Sequence, residues 1–185
     1  WIRGTFTQLL NGLREVHSNK LLHMDIKPGN IYVRNDGNPV LIDFGAARVE
    51  TTDQAQSRVG AVKDGYSPRE QYSTKAELQG PWTDIYALAA TMRRAITGDR
   101  PPDSMGRDLD DIMQAMTDIA PDGYRPEFLA AIDAAMRVQH DERPQTVAAW
   151  RTMLFEGMHD GPAVTRGIAR SRPRSAPART VRVER

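Results

Sequence analysis

The chain of 185 residues is long enough to bury one sizeable core, and 39% hydrophobic and 26% charged residues with a net charge of +1 are ordinary for a soluble globular domain. It has no cysteine, which excludes a disulfide framework and a thiolate metal site and fits a reducing cytoplasm. No apolar run approaches the roughly 18 residues of a membrane span, no signal peptide opens the chain, and a first residue of Trp1 rather than Met points to a partial sequence.

In chain order, Leu9, Leu10, Leu13 and Val16 recur at helical spacing and predict an amphipathic helix over 5–18. Leu21 and Leu22 lead into a polar loop from His23 to Gly29. Ile31-Tyr32-Val33 and Val40-Leu41-Ile42 flank Asn35-Asp36-Gly37-Asn38, which predicts a hairpin closed by a type I′ turn at Asp36-Gly37. Residues 44–80 lack sustained periodicity and read as a long loop, and loops of that length are usually functional. Thr83 is the expected cap of a helix running to Thr97, stopped by Gly98, and further helices are expected near 108–117, 126–138 and 145–155. Over 156–185 seven arginines face three acids, against 18 basic and 21 acidic residues in the remainder. Residues 1–156 therefore read as one mildly acidic folded unit, and 157–185 as a basic Arg/Pro/Ala-rich disordered tail, a solvated linker sooner than a nucleic-acid contact.

The polar loop and the hairpin carry the chemistry. A turn at Asp36-Gly37 sets Ile31 opposite Ile42 and Asn30 opposite Asp43, and opposed Cβ atoms lie about 4.5–5.5 Å apart. An amide oxygen and a carboxylate held that way can share a Mg²⁺ ion. Upstream, Pro28 disfavours helix at Lys27, so Asp25 and Lys27 alternate along extended backbone and project to a common side. A carboxylate to accept a hydroxyl proton, an ammonium to neutralise a phosphoryl group and two metal ligands form a phosphoryl-transfer set. Any one of these residues alone is more often a turn or cap residue; the combination is what argues for chemistry.

These residues carry a resemblance. His23-Met24-Asp25-Ile26-Lys27-Pro28-Gly29-Asn30 resembles the protein-kinase catalytic loop, H-R-D-x-K-P-x-N, and Asp43-Phe44-Gly45 the DFG motif at the expected spacing. Gly65 to Tyr72 resembles the A-P-E region as bacterial Ser/Thr kinases write it, with Glu70 as the Glu. Trp82 to Leu88 resembles the start of the long central helix, and Arg143-Pro144 a late motif whose Arg pairs with that Glu. The set covers residues 5 to about 155. It implies a mainly α fold, the C-terminal lobe of a bacterial-type Ser/Thr protein kinase with a small β-hairpin carrying the catalytic loop and DFG. It implies ATP and Mg²⁺ (or Mn²⁺) as cofactors and protein substrates with Ser or Thr acceptors. By resemblance, Asp25 is the catalytic base and Lys27 contacts the transferring phosphate. Asn30 and Asp43 hold the metal, and His23, Phe44 and Gly45 form the surrounding frame. Asp84 hydrogen-bonds the catalytic-loop backbone, and Glu70 and Arg143 form a buried ion pair.

Three departures qualify the resemblance. Met24 stands where H-R-D has Arg, and Lys63 where many Ser/Thr kinases carry Thr. No Gly-rich phosphate loop and no Val-Ala-x-Lys strand precede His23, so an N-terminal lobe is expected upstream. Two other readings compete. Lys27-Pro28, the Tyr66–Tyr72 segment and Arg143 argue against a small-molecule phosphotransferase of the aminoglycoside type. The second is a catalytically silent binding module that kept the lobe as a scaffold.

Overall fold

The computed structural model describes residues 2–49 and 65–155. The expected disorder of 157–185 and the position of Lys63 lie outside the described residues. Among the described residues the helices and strands are, in order, α1 (Ile2–Ser18), β1 (Leu21–Leu22), β2 (Ile31–Val33), β3 (Pro39–Leu41), β4 (Arg48–Val49), α2 (Pro81–Thr97), α3 (Ser104–Leu109), α4 (Met116–Ile119), α5 (Pro126–Ala135) and α6 (Val147–Phe155). The architecture is mainly α, with short 3₁₀ turns at Pro28–Asn30, Phe44–Ala46, Arg69–Tyr72, Ala76–Leu78 and His140–Glu142.

The apolar stripe of α1 buries Phe6, Leu9, Leu10 and Leu13, while Val16 near its end is half-buried. That stripe packs on β3, β1 and α6. The centre of the core is α2, buried continuously from Thr83 to Arg93, as expected of a helix enclosed on all sides. It packs against α5, and α5 in turn against α6, where Trp150 is fully enclosed and donates its indole N–H to the Ala131 carbonyl at 2.8 Å.

Three expectations are corrected. The hairpin pairs Ile31 with Leu41, Tyr32 with Val40 and Val33 with Pro39, one residue away from the expected register. The cause is the turn. Type I′ needs positive φ at both central residues, and of Asp36 and Gly37 only Gly37 has it, at 83°. Gly37 N–H bonds the Arg34 carbonyl and Arg34 N–H the Asn38 carbonyl, both at 2.9 Å, so the loop has three residues and ends on a left-handed glycine. Asn30 therefore sits opposite Ile42, whose N–H donates to its carbonyl at 2.9 Å, and not opposite Asp43.

Second, α2 starts two residues before Thr83. Pro81 opens it, fitting for a residue that lacks an N–H to leave unsatisfied. Thr83 instead sits in the first turn, its Oγ1 accepting the Gly80 N–H at 3.2 Å. The stop at Gly98 is as expected, left-handed at φ 82°. Third, no helix spans 108–117. Asp103 caps α3 by accepting the N–H groups of Met105 and Gly106, and α3 ends at Leu109. Arg107 then grips Asp111 through two bonds of 2.8 and 2.9 Å, pinning the extended stretch that follows. Within the loop expected over 44–80, β4 pairs antiparallel with β1, Leu21 to Val49 and Leu22 to Arg48.

Candidate active site

The segment after β1 is fixed from below by one carboxylate. Asp84, in the first turn of α2 and fully buried, accepts the backbone N–H of His23 from Oδ2 and of Met24 from Oδ1, each at 2.8 Å. His17 Nε2, from the end of α1, lies 2.9 Å from the same Oδ2. Asp84 thus joins α1, the loop and α2. Met24 is held at φ 66°, a region non-glycine residues seldom occupy, with its side chain buried and its carbonyl bonded by Gln71 Nε2 at 2.5 Å.

That fixed turn delivers Asp25. Its Oδ2 receives Lys27 Nζ at 2.6 Å and Asn30 Nδ2 at 2.9 Å, and Asn30 Nδ2 also reaches the Asp25 carbonyl at 2.8 Å. Lys27 is fully extended, φ −161° and ψ 166°, and Pro28 opens the 3₁₀ turn that carries Asn30 back toward Asp25. Asn30 is buried while Asp25 and Lys27 are half-buried, so the carboxylate is open on one side with Oδ1 unengaged among the described residues. Both amide hydrogens of Asn30 are spent on Asp25, which leaves its Oδ1 as the atom able to meet a cation.

Asp43 lies just past the hairpin ladder, exposed and left-handed at φ 64°, its Oδ1 accepting the Gly45 N–H at 3.3 Å. Asp is among the residues that tolerate this conformation. Phe44 is half-exposed, and its ring lies 4.5 Å from the buried His23 ring at 51°. His23 Nδ1 accepts the Asp25 N–H at 3.3 Å. Its Nε2 is buried without a hydrogen-bond partner. Burial pushes the His23 pKa down, against the opposing fields of Asp84, Asp25 and Asp43.

A second cluster braces the segment 65–80. Glu70 and Arg143, both buried, join at 2.7 and 3.2 Å. Thr83 Oγ1 donates to Glu70 Oε1 at 3.0 Å, and Arg143 spends its remaining donors on the carbonyls of Arg137 and Val138 at 2.7 Å and of Trp82 at 3.4 Å. The guanidinium also lies 4.7 Å above the Tyr86 ring. Every polar side-chain atom of the pair has a partner.

The sequence residues thus fall into two groups. Asp25 bonds both Lys27 and Asn30; Glu70 and Arg143 form a separate buried pair; Asp84 holds the backbone of the first group, and Asp43 follows Ile42, the residue opposite Asn30. His17, Gln71 and Tyr86 were given no role from sequence and Thr83 only that of a helix cap, their partners lying 67, 47, 21 and 13 positions away. Such long-range partners leave no local signal in the sequence.

A protein kinase domain model matches residues 2–155. The chain belongs to the protein kinase family. It is 36% identical over 107 residues to the serine/threonine-protein kinase PknA of Nostoc sp., covering 54% of this chain and 18% of that protein. It is 32% identical over 159 residues to the Wee1-like protein kinase of Oryza sativa, covering 84% of this chain and 29% of that one. Among solved structures it is similar to PpkA-294 in its apo form, with a TM-score of 0.72 and 38% identity, over 83% of this chain and 53% of that one. The kinase chain in hand thus spans about half of that structure and less than a third of the two curated relatives. Among the described residues no helix is long and apolar enough to cross a membrane.

Proposed function

We propose that residues 1–156 form the C-terminal lobe of a cytoplasmic protein kinase that phosphorylates Ser and Thr hydroxyls of other proteins, with 157–185 a separate tail. The carrying observation is the Asp25 carboxylate, anchored at Oδ2 by Lys27 and Asn30 and open at Oδ1. PknA of Nostoc sp., described as a serine/threonine-protein kinase, supports the same class.

The donor set fits Mg²⁺ or Mn²⁺ with a nucleotide. Asn30 Oδ1 is left free by its own amide bonds, and Asp43 offers an exposed carboxylate; such hard oxygen donors suit these cations. Asn30 and Asp43 would hold the metal, and Lys27 would face the phosphoryl group. When bound, Mg²⁺-ATP supplies that group with its charge partly neutralised. The chain's own residues do the rest. Asp25 Oδ1 would accept a hydrogen bond from the acceptor hydroxyl, aim its oxygen at the phosphoryl group and take the proton as that oxygen replaces the ADP oxygen on phosphorus, ADP being the leaving group. Lys27 keeps positive charge beside the reacting atoms. Asp84 prevents the loop from moving as charge shifts, because two backbone N–H groups are locked to it. The buried Glu70–Arg143 pair holds the segment on which an acceptor chain would rest.

Phosphoamino-acid analysis after incubation of the full-length protein with labelled ATP and a mixed protein substrate tests the reading. Label on Ser and Thr, lost in Asp43→Ala, is the expected result. Label on Tyr alone would contradict the acceptor class, and no transfer in the full-length protein would favour a silent scaffold.

A further inference from the structure

The stretch that turned out not to be helical, 110–115, leaves apolar side chains uncovered. Leu109 is 91% exposed and Ile112 75% exposed, the most exposed large hydrophobic residues described, with Met105 one helical turn before Leu109. Beside them a cleft of about 540 Å³ opens between this stretch and α5, lined by Arg107, Asp111, Met113, Asp133, Val138 and Glu142 among others. The surroundings are strongly acidic. Residues 103–142 hold ten acids and three arginines, a balance of −7. Of those arginines, Arg107 is buried and already gripped by Asp111. Asp110, Asp111, Asp118, Asp122, Asp141 and Glu142 are all exposed.

The complementary piece is in the same chain. Residues 156–185 balance at +4, with Ile168, Val181 and Val183 set among the arginines. The two ends also lie within reach. Arg125, which precedes α5, donates to the Leu154 carbonyl at 3.3 Å, so α6 delivers the tail beside the start of α5. The cleft borders the last turn of α5, and ten helical residues measure about 15 Å. A flexible segment of about 30 residues has an r.m.s. reach of about 30 Å. We propose that the acidic, apolar face formed by α3, the 110–115 stretch and the end of α5 is the docking surface for the chain's own arginine-rich segment 157–185, bound in cis. Arginines of the tail meet Asp110 and Asp118 on the rim, Glu142 being already paired with Arg137 at 3.9 Å, while Val181 or Ile168 cover Leu109 and Ile112. The face is far in function from Asp25, so the inference stands whether or not the phosphoryl-transfer reading does.

The absence of cysteine makes the test direct, because Ala178→Cys places a single spin label in the tail of the full chain. Docking in cis predicts paramagnetic broadening of backbone amides confined to 105–118 and 133–142, unchanged on dilution. It should fade as ionic strength rises from about 0.05 M to about 1 M, where screening acts over about 3 Å. Leu109→Ser with Ile112→Ser, and separately Asp110→Asn with Asp118→Asn, should each cut the broadening by more than half, with the amide spectrum of the core unchanged. Broadening that is spread evenly over the lobe, that maps to another face, or that survives both pairs of substitutions overturns the proposal. So does broadening lost on dilution, which would make the occupant a second copy.

Discussion

Met24 shows how much of the site is decided by single atoms. Where related kinases place an arginine, this chain has a thioether that is buried and carries no charge, so no cation needs a partner at that position. What the turn needs instead is its backbone bonds. Asp84→Ala would leave the N–H groups of His23 and Met24 buried without an acceptor, at about 1–3 kcal/mol each. The expected outcome is a lower urea midpoint with broadened amide signals over 23–30. Arg143→Met strands the Glu70 carboxylate and should cost about 3–5 kcal/mol, whereas replacing both partners with apolar residues should recover much of that loss. Arg93 is the opposite case. It is buried with Nη1 lacking a hydrogen-bond partner, and burial lowers its pKa, so Arg93→Met should raise the urea midpoint. His23 sets a pH dependence. Its folded pKa lies below 6.5, so the unfolded chain binds the proton more readily, and stability falls as pH drops below about 6.5. His23→Phe should flatten that part of the pH–stability curve, measured by denaturation between about pH 5 and pH 8.

Elements were legible where periodicity was long and illegible where short polar residues decided the backbone. α1, α2, α5 and α6 follow from apolar spacing with their ends off by a few residues, because a proline at the first position and a capping side chain shift a start without changing the stripe. The 108–117 stretch has helical spacing too. It loses to Asp103, which starts a helix four residues earlier, and to the Arg107–Asp111 clamp, which holds the chain open after Leu109. The hairpin was legible but its register was not. Asp-Gly is compatible with both a two-residue and a three-residue loop, and only the φ of Asp36 separates them. The slip matters at the site. Asn30 and Asp43 were paired by an argument from opposition that the observed ladder does not support, and Asp43 comes to its position through a left-handed turn instead. The Asp25, Lys27 and Asn30 cluster was read from local spacing and the backbone rule at Pro28, and these do not depend on register. At Gly65 an added Cβ would lie 2.2 Å from the Pro101 carbonyl at a φ of 78°. Gly65→Ala should therefore cost more than the about 1–2 kcal/mol of the left-handed backbone alone, read as a drop in urea midpoint.

At the scale of the whole molecule, two buried charged groups tie distant parts of the chain to α2. Asp84 brings in α1 and the loop bearing Asp25, and Glu70 brings in the 65–80 segment and, through Arg143, the stretch before α6. The helical core therefore serves as a platform whose two polar anchors hold the loop bearing Asp25 and the 65–80 segment in fixed relation. Preorganisation of this kind is what phosphoryl transfer requires, since positioning supplies most of its catalysis. The central claim is that Asp25 is the group that takes the hydroxyl proton. Replacing it with Asn keeps the shape and the bond to Asn30 while removing the base. In single-turnover transfer from labelled ATP by the full-length protein, Asp25→Asn should lower the rate by about 10²–10⁴ with nucleotide affinity unchanged. A variant transferring phosphate at the parent rate would contradict the account.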